Sequence, residues 1–253
     1  MARILAIANQ KGGVGKTTTA VNLGAALSQL GKRVLLADSD PQGNTTSGLG
    51  VEKQSIEQCI YDVIVNSAPI SDIIIPANID NLFVLPATLR LAGAEVELVS
   101  AMARERRLAT ALQSIQDDYD YIIIDCPPSL GLLTINSLTA AQGVLVPIQC
   151  EFYALEGLSQ LLNVIEMVRK HLNSEVCVKG VILTMYDARL KLCEQVADDA
   201  RGHFGDKVFK TVIPRNVRLA EAPSFGAPAV IYDRASKGAR AYAELAKEVV
   251  NCE

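Results

Sequence analysis

The residues with the clearest chemical potential lie between positions 11 and 18. They are, in order, Lys11, Gly12, Gly13, Val14, Gly15, Lys16, Thr17 and Thr18. In a glycine-rich loop of this kind the backbone N–H groups converge on phosphate oxygens, the final lysine reaches the β and γ phosphates, and the following hydroxyl ligates Mg²⁺. The run therefore predicts a nucleoside triphosphate site, with Lys16 on the phosphates and Thr17 on the metal.

The segments on either side of this run suit a phosphate-binding loop. Arg3–Ala8 is apolar enough for a buried strand, and Thr18–Leu30 carries apolar residues at helical spacing. The loop is thus expected between a strand and a helix, with the phosphate at the helix N-terminus.

Lys11 separates this loop from the general pattern, which has a glycine where this chain has Gln10. A second ammonium group here is either a surface charge or a cation that neutralises charge developing between the β and γ phosphates. The run resembles that of the deviant Walker A ATPases, which include the ParA-type partition ATPases, MinD and the nitrogenase iron protein. The resemblance covers essentially the whole chain and is closest to chromosomal ParA-type members. It implies that Lys11 reaches the ATP of the other subunit in a dimer.

Two carboxylates follow an apolar run in the segment Asp38–Asn44. At the tip of a strand beside a phosphate loop, such carboxylates hold Mg²⁺ through water or orient the attacking water. Spacing alone is equally consistent with a polar turn. The resemblance assigns Asp40 to positioning the water and places Asp38 near the metal and Lys11.

A third carboxylate ends the apolar segment Tyr121–Asp125. Such an aspartate binds Mg²⁺ through water, although any buried strand can end in Asp. The following turn, which begins Cys126-Pro127-Pro128, resembles a segment that responds to the γ-phosphate in this family. Asp125 is therefore predicted to complete the metal site, and Cys126 to be a small buried residue.

The nucleotide base needs a pocket of its own. By similarity to ParA-type proteins, Met185, Pro214 and Asn216 line the adenine site. Without the resemblance, ordinary core and turn packing stays open as an alternative for Met185 and Pro214.

Composition and periodicity predict one α/β domain over residues 1–253. The chain has 253 residues, of which 49% are apolar, so it can bury a sizeable core. Strand-like runs alternate with helical stretches, which is typical of a mostly parallel sheet with helices on both faces. Together with the phosphate-binding loop, this pattern predicts a P-loop NTPase fold. The predicted strands are Arg3–Ala8, Arg33–Ala37, Asn81–Leu85, Tyr121–Asp125, Val144–Pro147, Val178–Thr184 and Val208–Ile213. Further helices are expected from a cap at Ser55 to Val65 and over Gly93–Gln116.

Charge alone gives no argument for nucleic-acid binding, because the formal net charge is −4. Residues 205–240 nevertheless contain seven basic and three acidic residues. This excess is consistent with a solvated face. The resemblance implies instead that Arg189 and Arg218, joined across a dimer, hold the DNA backbone independently of sequence.

Three alternatives remain open. A MinD-like protein would bind membrane through an amphipathic C-terminal helix, here Arg240–Val250, but its basic residues are balanced by acidic ones. A nitrogenase-type carrier would need paired cysteines at the dimer axis, but Cys126 lies in the wrong motif and Cys150 lacks that family's surroundings. A small-molecule ligase or kinase would share the phosphate loop, but no insertion supplies a second substrate pocket.

The resemblance favours an ATP-dependent dimerising switch in chromosome or plasmid partitioning. Its partners would be a second copy of the chain, non-specific double-stranded DNA and a ParB-type centromere-binding protein. Six scattered cysteines indicate reduced thiols, no run reaches the roughly 18 apolar residues of a membrane span, and the N-terminus enters the first strand without a signal peptide. A cytoplasmic, nucleoid-associated protein without membrane binding is therefore expected.

Overall fold

A computed structural model of the protein describes residues 1–151 and 158–252. Residues 152–157 and 253 of the predicted domain lie outside the described residues. Seven strands in the described part form one sheet with the order β3-β4-β2-β5-β1-β6-β7. They are β1 (Arg3–Ile7), β2 (Val34–Asp38), β3 (Ile75–Pro76), β4 (Leu82–Leu85), β5 (Tyr121–Asp125), β6 (Gly143–Gln149) and β7 (Cys177–Thr184). All pairings are parallel except that of β3 with β4.

The central strands β1, β2 and β5 are buried over nearly their whole length because the sheet is covered on both faces. Successive residues of β1 enter two different core layers: Ile4 and Ala6 belong to one layer, Leu5 and Ile7 to the other. The predicted α/β architecture with a mostly parallel sheet is confirmed.

Helices cover both faces of the sheet. They are α1 (Lys16–Gln29), α2 (Asn44–Gly48), α3 (Ile60–Ile64), α4 (Leu91–Glu97), α5 (Arg107–Gln113), α6 (Leu132–Ala140), α7 (Leu158–His171), α8 (Lys191–Phe204), α9 (Val217–Glu221), α10 (Ala229–Tyr232) and α11 (Lys237–Asn251). Buried residues of α3 to α8 pack in the first layer, and those of α1, α9, α10 and α11 pack in the second.

The predicted strand Val208–Ile213 is wrong. The Phe209 N–H donates to the Val181 carbonyl of β7 at 3.0 Å, and the Ile213 N–H donates to the Leu183 carbonyl at 2.8 Å. Between these two bonds the Glu248 carboxylate of α11 accepts from the N–H groups of Lys210 and Thr211 at 2.9 and 2.8 Å. Backbone donors that would continue a ladder are therefore bonded to a side chain.

The single helix predicted over Gly93–Gln116 is also wrong, because the chain breaks between α4 and α5. Ala103 is in the left-handed region with φ 52°. Asn136 of α6 fixes the break, since its amide donates to the Arg104 carbonyl at 2.8 Å and its oxygen accepts from the Leu108 N–H at 3.2 Å. A side chain from a distant helix thus replaces the hydrogen bonds of a continuous helix.

The short helix predicted from Ser55 begins later, at Ile60. Its N-terminus is capped by the Asp62 carboxylate, which accepts from the Cys59 N–H at 2.9 Å. Arg90 also donates to Asp62, at 2.9 Å. The cap therefore comes from inside α3 rather than from the predicted serine.

Candidate nucleotide site

The candidate site lies at the carboxyl ends of the parallel strands. The loops after β1, β2, β5 and β7 carry the predicted phosphate, metal and base contacts. Parallel strands bring these loops to one edge of the sheet, which is where ligands bind in such folds.

The phosphate loop connects β1 to α1, as predicted. Gly13 and Gly15 have φ values of 76° and 90°, a backbone region that favours glycine. A Cβ placed on Gly12 or Gly13 would meet no described atom within 4 Å. The loop therefore has an open side on which a phosphate has room, and Thr184 of β7 fixes it from behind by donating to the Val14 carbonyl at 2.8 Å.

Lys16 opens α1 and is buried. Its Nζ donates to the Lys11 carbonyl at 3.1 Å. Burial lowers the pKa of Lys16, and the nearby Asp125 carboxylate acts in the opposite direction. An ammonium in such a desolvated position gains most from an anionic ligand.

Lys11 has a different environment from Lys16. Its side chain is 34% exposed, and its Nζ lies 3.2 Å from Oε2 of Glu151. Its backbone is held by Asn9, whose oxygen accepts from the Lys11 N–H at 3.0 Å and whose amide donates to the Pro147 carbonyl at 2.8 Å. The sequence analysis did not predict Asn9 as a site residue. The feature that could have indicated it is a polar amide directly after the apolar run Arg3–Ala8 and before the phosphate loop.

Asp125 ends β5 and is buried. Its Oδ2 accepts from the Thr45 hydroxyl of α2 at 2.8 Å, whereas its Oδ1 has no hydrogen-bond partner among the described residues. Burial and the Asp38 carboxylate raise the pKa of Asp125, and the nearby Thr17 hydroxyl acts in the opposite direction. A buried carboxylate oxygen without a donor fits a cation site, and Mg²⁺ prefers such oxygen ligands.

Asp38 ends β2 and is fully buried. Its Oδ2 accepts from both the N–H and the hydroxyl of Thr46, at 2.8 and 2.7 Å. Burial raises the pKa of Asp38, and the Thr46 hydrogen bonds oppose that shift. Asp40, also buried, accepts from the Gln42 N–H at 2.9 Å.

Thr45 and Thr46 were not predicted as site residues. Both are fully buried and both bond a carboxylate at the end of a central strand. Two buried hydroxyls in the short helix after Asp40 were the available signal. They tie α2 to the two deepest carboxylates of the site.

The three residues predicted to contact adenine lie in one cavity of about 360 Å³. Met185, Pro214 and Asn216 line it together with Gly15 and Thr18 of the phosphate-loop region. The pairing of Tyr186 with Pro214 brings the two late segments side by side. A largely apolar cavity next to the phosphate loop has the character of a site for a flat base.

Comparisons with known proteins agree with this geometry. A family model described as an AAA domain matches residues 2–178. Sporulation initiation inhibitor protein Soj of Bacillus subtilis (strain 168) is 62% identical over 98% of this chain and 98% of its own. Chromosome partitioning protein ParA of Caulobacter vibrioides (strain NA1000 / CB15N) is 54% identical over 99% of this chain and 95% of its own. This chain belongs to the Soj/ParA family of chromosome-partitioning ATPases.

A solved structure with the same fold is cobyrinic acid a,c-diamide synthase from Mycobacterium smegmatis with bound ADP and magnesium. It is 39% identical, covers 99% of this chain and 94% of its own, and has a TM-score of 0.87. Its ligands agree with the predicted ATP and Mg²⁺, and family membership confirms the predicted ATPase. The name of that structure belongs to the ligase alternative, but the Soj and ParA relatives are more similar in sequence and support the partitioning role.

The two arginines predicted to hold DNA follow segments that line the base cavity of this Soj/ParA-type chain, although neither lines the cavity itself. Arg189 follows β7 and pairs with Asp187, with Nη2 to Oδ2 at 2.6 Å. Arg218 belongs to α9 and pairs with Glu221 at 2.7 Å and with Asp233 at 3.3 Å. Both guanidinium groups thus carry acidic partners, which the sequence interpretation did not anticipate.

The C-terminal helix predicted over Arg240–Val250 is present as α11. Its apolar face is buried against α1, where the Tyr242 and Thr19 hydroxyls lie 3.0 Å apart. The face that a MinD-like membrane helix would expose is therefore covered. Within residues 1–151 and 158–252, no helix has both the length and the apolar character to span a bilayer.

Cys126 and Cys150 are buried, free thiols. Burial raises the pKa of each to about 12. An iron–sulfur cluster at a dimer axis needs thiols at the surface of each subunit, so the burial of both cysteines argues against the nitrogenase-type alternative.

Proposed function

We propose that this chain is an ATP-dependent dimerising switch for chromosome or plasmid partitioning. The ATP-bound dimer binds DNA non-specifically, and slow hydrolysis, stimulated by a ParB-type partner, releases it. The observation that carries the proposal is the pair of hydrogen bonds that tie α2 to Asp125 and Asp38. A short helix bonded to the metal-site carboxylates can change position when the ligands of those carboxylates change.

Nucleotide binding is assigned to the residues around the open loop. Residues 12–18 surround the phosphates, with Lys16 on the β and γ groups, and Met185, Pro214 and Asn216 contact adenine. Thr17, Asp38 and Asp125 hold Mg²⁺, directly or through water. When bound, Mg²⁺ neutralises phosphate charge, and the unpartnered Oδ1 of Asp125 is a buried oxygen that can accept it or one of its waters.

Hydrolysis is assigned to Asp40 and Lys11. Asp40 keeps one oxygen on the Gln42 N–H, which fixes its orientation, and it holds the attacking water. Lys11 stabilises charge developing between the β and γ phosphates of the opposite subunit. Its partial exposure is consistent with such a reach.

Dimerisation is assigned to the open side of the phosphate loop. A Cβ added at Gly12 would meet no described atom within 4 Å, so a second subunit can approach the backbone there. Two copies facing each other through this side would enclose two nucleotides and join two copies of Arg189 and Arg218. The resulting footprint would contact phosphates without reading bases.

A ParB-type protein is the proposed partner, and the proposed location is the cytoplasm with nucleoid association. The names of the Soj and ParA relatives support a role in partitioning. ATP stabilises the dimer, and the dimer binds DNA more tightly than the monomer does.

Co-sedimentation with DNA tests the proposal. Wild-type protein is mixed with duplex DNA of unrelated sequences in ATP, in ADP and without nucleotide, and its mass is followed by light scattering. DNA binding and a dimer mass in ATP alone are expected. Equal DNA binding in all three states would contradict the switch, and ATP-dependent binding to anionic liposomes without DNA binding would favour the MinD-like alternative.

A further inference from the structure

Both arginines of the proposed DNA face are held by acidic side chains of their own chain. The nucleotide-free monomer therefore presents these two guanidinium groups largely neutralised. Carboxylate and phosphate oxygens bind guanidinium in the same planar, bidentate manner. Each acidic partner thus occupies donors that a DNA phosphate would use.

The Arg189 pair is the more complete of the two. Oδ1 of Asp187 accepts from Nε of Arg189 at 2.9 Å and from its backbone N–H at 3.0 Å, and Oδ2 accepts from Nη2 at 2.6 Å. The Arg189 side chain is 88% exposed and the Asp187 side chain 18%. The Arg189 guanidinium is therefore open to an incoming phosphate, whereas Asp187 is held in place by the backbone N–H that it also accepts.

Arg218 carries two acidic partners. Its Nη1 lies 2.7 Å from Oε2 of Glu221, and its Nε lies 3.3 Å from Oδ2 of Asp233. Asp233 has a further role, because its other oxygen accepts from the Ala235 N–H at 3.2 Å. Glu221 is therefore the cleaner of the two to change.

The Arg189–Asp187 and Arg218–Glu221 ion pairs both lie on segments that also line the base cavity. Met185 lines the cavity in the left-handed region with φ 52°, and Asp187 follows two residues later. On the other segment, the cavity residue Asn216 accepts from the Arg218 N–H at 3.0 Å. The two acidic partners are thus placed by the backbone that also shapes the nucleotide site.

We propose that Asp187 and Glu221 set the DNA affinity of this protein by competing with DNA phosphates for Arg189 and Arg218. The inference rests on the proposed function and adds to it two residues that oppose DNA binding. A phosphate must displace each carboxylate, and the displaced carboxylate stays near the phosphate and repels it. Because both arginine side chains are at least half exposed and screened by solvent, displacement costs little, and the contact remains reversible.

The test measures DNA affinity of the full chain with a slowly hydrolysed ATP analogue. Asp187→Asn and Glu221→Gln each remove one negative charge and keep the side-chain shape. Glu166→Gln is the matched control: Glu166 pairs with Arg169 at 2.8 Å with the same three-residue spacing, but on α7, on the other face of the sheet from α9. ATP affinity and the thermal midpoint are measured for every variant, so that misfolding or loss of nucleotide is detected.

Each test variant is expected to bind DNA about two- to fivefold more tightly at moderate salt. The plot of log affinity against log salt should also steepen by up to about 0.9, since one more phosphate charge is neutralised without compensation. The control should match wild type in both measures. Test variants that bind like the control, or more weakly, while wild type binds DNA, would overturn the inference alone. A wild type that binds no DNA with the analogue would overturn the proposed function as well.

Discussion

Nζ of Lys11 lies 3.2 Å from Oε2 of Glu151 in the same chain. A lysine that acts on the nucleotide of a second subunit has to leave this partner first. Because both side chains are partly exposed, the pair is screened by solvent and its loss costs about 1 kcal/mol or less. The monomer thus holds Lys11 close to the phosphate loop without fixing it there.

Asp40→Ala should separate ATP binding from hydrolysis. Asp40 is proposed to hold the attacking water, so its removal should lower turnover by roughly 100-fold while ATP stays bound and the dimer accumulates. Turnover, ATP affinity and mass in ATP are the measurements. Wild-type turnover in this variant would show that the assignment is wrong.

Lys16→Ala should weaken ATP binding itself, in contrast to Asp40→Ala. Lys16 is the buried ammonium of the loop, and losing a charged hydrogen-bond donor to phosphate should weaken ATP binding by roughly 10- to 100-fold or more. Equilibrium titration with a fluorescent ATP analogue measures this. Near-normal affinity would remove Lys16 from the phosphate site.

Gly12→Val should bind ATP but stay monomeric. The Cβ at Gly12 meets no described atom within 4 Å, so the side chain obstructs a second subunit and leaves the loop intact. Gly13→Val is the control, because φ 76° at Gly13 strains any branched side chain and should impair ATP binding itself. Light scattering in ATP decides: a dimer of normal affinity in Gly12→Val would contradict the face-to-face dimer.

Arg189→Glu and Arg218→Glu should abolish DNA binding and leave dimerisation in ATP near normal. Arg189→Glu is the sharper test, since Arg218 lies close to the cavity residue Asn216 and its change can lower nucleotide affinity slightly. Arg169→Glu on α7, a charge reversal at a side chain as exposed as that of Arg218, should bind DNA normally. Wild-type affinity should fall steeply as salt rises and be indifferent to base sequence. Unchanged binding by both test variants would remove these arginines from the interface.

Asp125→Asn should stabilise the metal-free protein, and more so at higher pH. Burial and Asp38 raise the pKa of Asp125, so the folded chain keeps a proton that the unfolded chain loses above pH of about 4. Unfolding then releases a proton, and the stability of wild type falls as pH rises from that value toward neutrality. Removing the carboxylate should recover on the order of 2 kcal/mol near pH 7 and little near pH 4. Denaturant unfolding with a chelator present measures this, and a gain independent of pH would refute the cause given.

The central strands were predictable because their signal is local. Tyr121–Asp125 was predicted with the bounds observed for β5, since consecutive apolar residues ending in a carboxylate need no other information. The place of the phosphate loop between β1 and α1 was predictable for the same reason, because its glycines and lysines are consecutive in the sequence. The partners of the site residues were not predictable: Thr45 reaches Asp125 across 80 residues, and Glu151 reaches Lys11 across 140.

The errors have the same origin. Val208–Ile213 has strand-like residues, but Glu248 from the end of the chain takes the donors that a ladder would use. Gly93–Gln116 has helical periodicity, but Asn136 stabilises a break within it. In each case hydrogen bonds to a side chain more than twenty residues away determine the backbone conformation. The periodicity of a local segment cannot predict such a distant partner.

The segment beside β7 has a consequence for aggregation. β7 lies at the end of the sheet, and such an edge usually exposes a row of donors and acceptors on which foreign strands can assemble. Two hydrogen bonds from the segment that follows α8 occupy part of this row, and Phe209 lies so close to Gly180 that a Cβ there would be 2.2 Å from its ring. The segment thereby protects part of this edge against fibrous growth along the sheet, even though it is too irregular to be a strand.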